Sequence, residues 1–244
     1  MRPKTSYRTF ITLAALAAFA APATGAHAEN SLAPHKAQYK VKISVLGGQL
    51  NTQLITTEDG YVATHTIKPT GMSRMLSGGQ INESSHFDRV KNGVRPVTFQ
   101  TNDTLTRDKT RASIRFNWDT NEASGTVNNE AFLSEMEGFA FDRVSIQYEL
   151  MSDLLNDNPS AEYVLFDVDK LKTIEVRNIG SRTVKVPAGE YEAVGLQHQA
   201  IGSKRITTMW CVEELDYLPV IIEQHRKGKL KMRAVLSEYS PLKT

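Results

Sequence analysis

From Ala37 onward apolar residues take every second position: Tyr39, Val41, Ile43 and Val45 alternate with Lys40, Lys42 and Ser44. A period of two marks a strand with one buried face. Gly47-Gly48 turns the chain, residues 49–57 return antiparallel, and Glu58-Asp59-Gly60 turns it again into 61–68, which makes a three-strand meander. The same alternation predicts strands at 80–88, 94–101 and 111–118, the last with Ile114, Phe116 and Trp118 on one face. Asn92-Gly93 and Asp119-Thr120-Asn121 supply the turns between them. Seven further strands are predicted at 163–169, 171–179, 182–186, 190–199, 205–212, 218–224 and 230–238. Roughly even spacing of about a dozen strands predicts a mainly β fold, a sandwich, a barrel or a long, strongly curved antiparallel sheet, half-barrel or barrel-like, rather than βαβ units.

One segment departs from this period. Val144, Tyr148, Met151 and Leu155 recur at helical spacing behind Asp142, an N-cap residue type, and residues 156–159 stop the run at Pro159. This predicts one main helix of three turns that divides the strands into two groups, with a subdivision near 156–161 inside a single mature domain, 29–244. A shorter stretch, 69–79, places Met72, Met75 and Leu76 at helical spacing between Pro69, Gly71 and Gly78-Gly79. It reads either as a plug for one end of the sheet or as a lid over an apolar cavity, since methionine adapts to varied partners. Residues 132–139 form a second acidic-apolar rim candidate.

The N-terminus follows a different rule. Arg2, Lys4 and Arg8 precede an apolar run from Phe10 to Ala21, and Ala26-His27-Ala28 provides small residues for signal peptidase. Residues 1–28 are therefore expected to be a cleavable signal peptide, cut after Ala28, because a bilayer-spanning helix needs about 20 apolar residues. The lone cysteine, Cys211, is far from the cut, so lipid attachment there is not expected and the product is expected to be free in the periplasm. Removing the leader leaves 26 Lys and Arg against 27 Asp and Glu, a formal charge of −1 in place of +2. Net charge then gives no support to a surface for nucleic acid or anionic lipid. The chain after residue 28 is expected to start loose, with His35 in a frayed segment.

No self-sufficient catalytic motif is present. His35, His65, His86, His198 and His225 lack metal-ligand spacing and read as scattered surface residues. Gly71-Met72-Ser73-Arg74-Met75 lacks the second glycine of a nucleophile elbow. The acid pairs Glu135 with Glu137, Asp167 with Asp169, and Glu213 with Glu214 read as solvated turn residues. Cys211 reads as a buried apolar residue. No catalytic residue, metal or cofactor is expected.

The runs 184–193 (VKVPAGEYEA), 209–211 (MWC), 218–222 (LPVII), 93–99 (GVRPVTF) and 144–150 (VSIQYEL) occur in an order that resembles an exported bacterial family, domain of unknown function 3108. Cys211 departs from the aromatic or aliphatic residue usual after the tryptophan. The resemblance implies a periplasmic antiparallel β protein and no established activity. More loosely, such a sheet with a helix on its concave face looks like the half-barrel of periplasmic lipoprotein carriers. In the turn of 184–193, Pro187 fixes φ, Gly189 allows the reversal and Tyr191 restarts a strand; Trp210 reads as a core anchor.

These readings lead to a non-enzymatic module that holds a lipid, acyl chain or lipidated partner between sheet and helix, with Met72, Met75, Leu76, Tyr148, Met151 and Trp210 as its expected lining or lid. Two alternatives stay open: an envelope scaffold with a filled core that binds a protein partner, and a hydrolase of envelope polymers. Signal peptidase is the expected partner during export, and no nucleic acid is expected.

Overall fold

The structure, a computed structural model, describes residues 30–243 except 77, 92 and 169, and leaves out the side chain of Leu76. The predicted leader with its cut after Ala28, and Asp169, lie outside the described residues.

Among the described residues fourteen strands form: β1 (His35–Ile43), β2 (Leu46–Thr56), β3 (Gly60–Pro69), β4 (Ile81–Val90), β5 (Gly93–Asp103), β6 (Thr110–Asn117), β7 (Glu122–Val127), β8 (Glu130–Glu135), β9 (Glu162–Asp167), β10 (Lys170–Val186), β11 (Gly189–Ala200), β12 (Arg205–Val212), β13 (Leu218–Arg226) and β14 (Lys229–Pro241). Helix α1 (Ser73–Leu76) is a single turn, and α2 (Ser145–Leu155) is the predicted main helix. β1 to β8 make one meander and β9 to β14 another. β1 pairs with β14, so both belong to one antiparallel sheet that runs from β8 through β1 and β14 to β9.

Register carries the alternation from strand to strand. His35, Ala37 and Tyr39 stand beside Leu54, Thr52 and Leu50, and Leu54 and Thr52 stand beside Ala63 and His65. Ala63 faces Ser85, and Ser85 faces Phe99. These side chains share the inner face. Gln38, Asn51, Gln53 and Thr64 take the other face, which is polar.

The sheet's two ends, β8 and β9, are not hydrogen-bonded to each other. Aromatic packing joins them instead: the Phe166 ring lies 5.8 Å from Phe116 and 6.0 Å from Phe132, between ring centroids. The Phe141 backbone runs beside β9, donating to Val164 O at 2.8 Å and accepting from Phe166 N–H at 2.7 Å. One free edge is thus partly paired and the other, β8, is only 6 residues long, which limits strand addition.

Helix α2 lies on the inner face against β4 and β5. Its start is built on Asp142, whose carboxylate accepts from the Val144 and Ser145 N–H groups at 2.8 and 2.9 Å and from Ser85 Oγ at 2.6 Å. Ser145 Oγ accepts in return from Asp142 N–H. Four groups that would otherwise be unpaired are satisfied, which is what a buried helix start requires. At the other end Asn156 stops the helix, and its side chain reaches Ser152 O and Asn30 O.

Several expectations are corrected. The N-terminal segment is not frayed: Leu32 is buried, Ala33 N–H donates to Asp216 at 2.9 Å, and His35 is 1% exposed at the start of β1. Residues 132–135 of the expected rim belong to the edge strand β8, paired with β7, and 136–139 follow it without regular structure. The predicted strands 171–179 and 182–186 are one strand, β10, with a register slip between Asn178 and Ser181 around Gly180, whose φ is +92°. Asp167 is not a solvated acid: it pairs with Arg143 and Lys172.

Candidate functional site

Of the six residues expected to line a cavity, the five with described side chains, Met72, Met75, Tyr148, Met151 and Trp210, lie in three separate places. Tyr148 and Met151 of α2 are fully buried on the inner face. Trp210 is buried on the opposite face of β12, since register links its neighbour Met209 through Ile222 and Ala234 to Val41 inside. There the Arg182 guanidinium covers the indole at 3.8 Å, and Ile179 packs against Gly195 beside it. Trp210 is a packing anchor, as expected, but not a cavity wall. Met72 precedes and Met75 belongs to the single turn of α1, and at 84% and 88% exposure both side chains point away from the sheet and do not plug it. Ser73 between them accepts from Gly47 N–H at 2.9 Å, a structural bond that pins α1 to the β1–β2 turn.

The interior that a cargo would occupy is filled by α2 and the rings around it. Tyr148 stacks on Phe87 at 5.4 Å and approaches His35 and His65 at 6.4 and 6.2 Å. The two histidines, 30 residues apart in sequence, are brought to one ring by the register of β1, β2 and β3. That convergence corrects the reading of both as surface residues. His35 Nδ1 bonds to Ala33 O at 2.9 Å, leaving Nε2 inward. The His35 and His65 Nε2 atoms and the Tyr39, Thr52 and Tyr148 hydroxyls are buried without a hydrogen-bonding partner among the described residues. Burial lowers the His65 pKa to about 4 and lowers that of His35 as well. Burial likewise pushes both Tyr39 and Tyr148 upward. At neutral pH the cluster is uncharged, a polar lining in an apolar core.

A second group lies on the flank of α2. Glu149 accepts from Val94 N–H at 2.7 Å and sits against Gly93, where an added Cβ would lie 2.5 Å from its Oε2. Burial pushes its pKa up to about 8. One turn on, Asp153 accepts from the Tyr163 hydroxyl, and burial raises its pKa to about 6. Sequence reasoning passed over Glu149, Asp153 and Tyr163. The available signal was two acids four apart on the buried stripe of a helix, where one turn brings them close.

Other ionisable groups are held in structural contacts. Glu83, across from His65, is engaged by Arg143 at 3.5 Å and Thr101 at 3.4 Å. The Cys211 thiol is buried beside β13, and burial pushes its pKa up to about 12, which disfavours the thiolate. No three His, Cys, Asp or Glu side chains gather as metal ligands among the described residues.

Two concavities among the described residues can be compared with these expectations. One, about 190 Å³, lies between the N-terminal segment, the β4–β5 turn and α2, lined by Leu32, Tyr61, Arg89, Gly93 and Ser152 among others. The other, about 340 Å³, lies on the outer face over β14, β1, β2 and β3, where Gln38, Asn51, Gln53, Thr64 and Glu238 make it polar. Among the described side chains, Met72, Met75, Tyr148, Met151 and Trp210 line neither of them. No helix among the described residues is long and apolar enough to cross a membrane.

Comparison with known proteins agrees with this architecture. A β-barrel-like protein of domain of unknown function DUF1849 from Brucella abortus superposes with a TM-score of 0.59 at 11% identity, covering 87% of this chain and 99% of its own. At that identity the likeness is one of fold. No curated protein matches the chain. The family described as protein of unknown function (DUF3108) matches residues 36–235, spanning β1 to β14, and two of the runs that resembled it, 93–99 and 144–150, meet at the contact of Glu149 with Gly93 and Val94. The chain belongs to the DUF3108 family.

Proposed function

We propose that this protein is a non-enzymatic module of the bacterial envelope that works through its outer surface, with an interior that is structural. The observation that carries the reading is the filled concave face: Tyr148 and Met151, at 0% and 1% exposure, occupy the space between sheet and helix that an acyl chain would need. Of the readings opened by the sequence, this supports the scaffold with a filled core over the carrier with an internal lipid. A carrier would have to expel α2, whose two largest inward side chains each contribute roughly 1.5–3 kcal/mol by burial. Export to the periplasm is supported by the leader pattern of residues 1–28.

The chain from Glu29 onward, purified from periplasm, tests this by native mass spectrometry. The expected result is the bare mass, with no uptake of a lipophilic fluorescent probe. Photo-cross-linking in cells from Gln53, in the outer concavity, should capture lipid or protein at a higher yield than from Met151 in the core. A co-purified lipid whose retention is lost in Met151→Ala would overturn the reading and restore the internal carrier.

A further inference from the structure

The nearly neutral net charge conceals a segregation that only the topology makes visible. Four connections lie at one end of seven neighbouring strands, β3 through β1 and β14 to β11: residues 42–46, 68–76, 200–206 and 226–232. They are tied together locally, since Thr70 N–H donates to Gly47 O and Lys227 N–H to Lys204 O. Together these segments hold nine Lys and Arg and no Asp or Glu. All nine are exposed, and among the described residues none makes an ion pair. At the opposite end of the same strands, the β2–β3 turn carries Glu58 and Asp59, and the 3₁₀ turn before β13 carries Glu213, Glu214 and nearby Asp216, without a basic residue in either.

The basic end also carries exposed apolar tips. Val45 is 89% exposed, Met75 88%, Met72 84% and Ile201 64%, and Leu46 and Leu230 are also exposed. Isolated exposed apolar residues need no explanation, but several at the tips of adjacent connections within a basic rim do. Nucleic acid would use the charge and leave the aliphatic tips in water. A lipid surface uses both, because lysines meet anionic headgroups while the tips enter the headgroup–acyl boundary.

We propose that this rim is a docking surface for an anionic lipid bilayer, with the seven strands steep to the membrane and the acidic turns at 58–59 and 213–216 directed away from it. The inference rests on the outer-surface reading above and names its partner. The unpaired basic side chains of the rim orient its approach, and Val45, Met72 and Met75 anchor it on arrival.

The test uses the chain from Glu29 onward and sedimentation with vesicles of phosphatidylcholine alone or mixed equally with phosphatidylglycerol. Binding is expected only to the mixed vesicles, weakening as salt rises. Each neutralised lysine should lower the partition coefficient about five-fold at low salt, so a Lys227→Glu/Lys229→Glu/Lys231→Glu variant should lose well over ten-fold. Val45→Ser/Met72→Ser/Met75→Ser should lose on the order of ten-fold and keep the salt dependence. Circular dichroism melts check that both variants stay folded, as fully exposed substitutions should. Absence of binding to mixed vesicles, equal binding to neutral ones, or no effect of the apolar triple variant would each overturn the proposal. A sole protein adduct cross-linked from Val45 in cells would overturn it as well. None of those results disturbs the filled interior, which falls only to a lipid retained inside.

Discussion

Glu149 offers a quantitative check on how the interior is organised. Its carboxyl sits between Val94 N–H and Gly93, and burial raises its pKa from the ordinary 4.5 to about 8. In the unfolded chain the proton leaves near pH 4.5; in the fold it stays until near pH 8. Between those values the folded state holds more protons, so this group's contribution to stability falls as pH rises. Across the two units from pH 5 to 7 the ceiling is ~2.7 kcal/mol, from 1.36 kcal/mol per unit. The side chain is half-buried rather than sealed, and screening by solvent brings the expected change to about 1.5 kcal/mol.

Glu149→Gln keeps an oxygen to accept from Val94 and removes the titration. Urea unfolding of both proteins at pH 5 and pH 7 should therefore show the stability difference, variant minus wild type, rising by about 1.5 kcal/mol at the higher pH. Other titrating groups cancel in this double difference, except for coupling to Asp153 one turn away, which the Glu149→Gln/Asp153→Asn double variant measures. A difference identical at the two pH values would show that Glu149 is ionised throughout and that burial does not control it.

His65 supplies the opposite sign. Its folded pKa of about 4 lies below the ordinary 6.5, so the stability it contributes is present above pH 6.5 and is lost as pH falls towards 4. Between pH 7 and 5 wild type should lose ~1–2 kcal/mol more than His65→Gln in the same urea assay. Tyr148→Phe removes a buried hydroxyl that has no partner among the described residues, so thermal melting should show the variant equal to or more stable than wild type, by up to ~1 kcal/mol; a loss of that size would show that the hydroxyl is bonded. Gly195→Ala would place a Cβ 2.6 Å from Ile179 Cγ1 and 2.9 Å from the Trp210 ring, and should cost about 1–3 kcal/mol in chemical denaturation, with quenching or shift of the tryptophan emission.

Where burial alternates strictly, the fold was legible: the predicted strand at 205–212 matches β12 residue for residue, and 61–68 lies within β3. The alternation failed in β7 (EASGTV), where Ala123 is the one buried residue and Ser124, Gly125 and Thr126 after it are small and carry no apolar signal. Gly125 there is held against Ser113 O, closer than any Cβ permits, so a close approach of backbones replaces the hydrophobic signal. In β10 a single φ of +92° at Gly180 looks like a turn in sequence but is a bulge within one strand. The helix was visible from its period and from Asp142, whose role as the N-terminal hydrogen-bond acceptor follows from the geometry of a helix start. What stayed hidden was convergence. His35 and His65 share Tyr148 only because two hairpin registers place them on the same face, and nothing local to either residue records that.

The basic rim is the same lesson in electrostatic terms. A formal charge of −1 after the expected cleavage averages over the whole surface, whereas a bilayer senses only the charges within about a Debye length, about 8–10 Å at ordinary salt. The connections at 42–46, 68–76, 200–206 and 226–232 are separated by up to some 125 residues between neighbouring segments, yet the pairing of β1 with β14 sets two of them side by side. That non-local pairing, the one ladder among the described strands that does not join sequential neighbours, both completes the sheet and assembles the rim. The rim's charge and the sheet's continuity therefore depend on the same contact. A break in it, for example by Ala234→Pro opposite Val41, should abolish vesicle binding together with the cooperative unfolding transition, whereas the surface lysine variants should abolish binding alone.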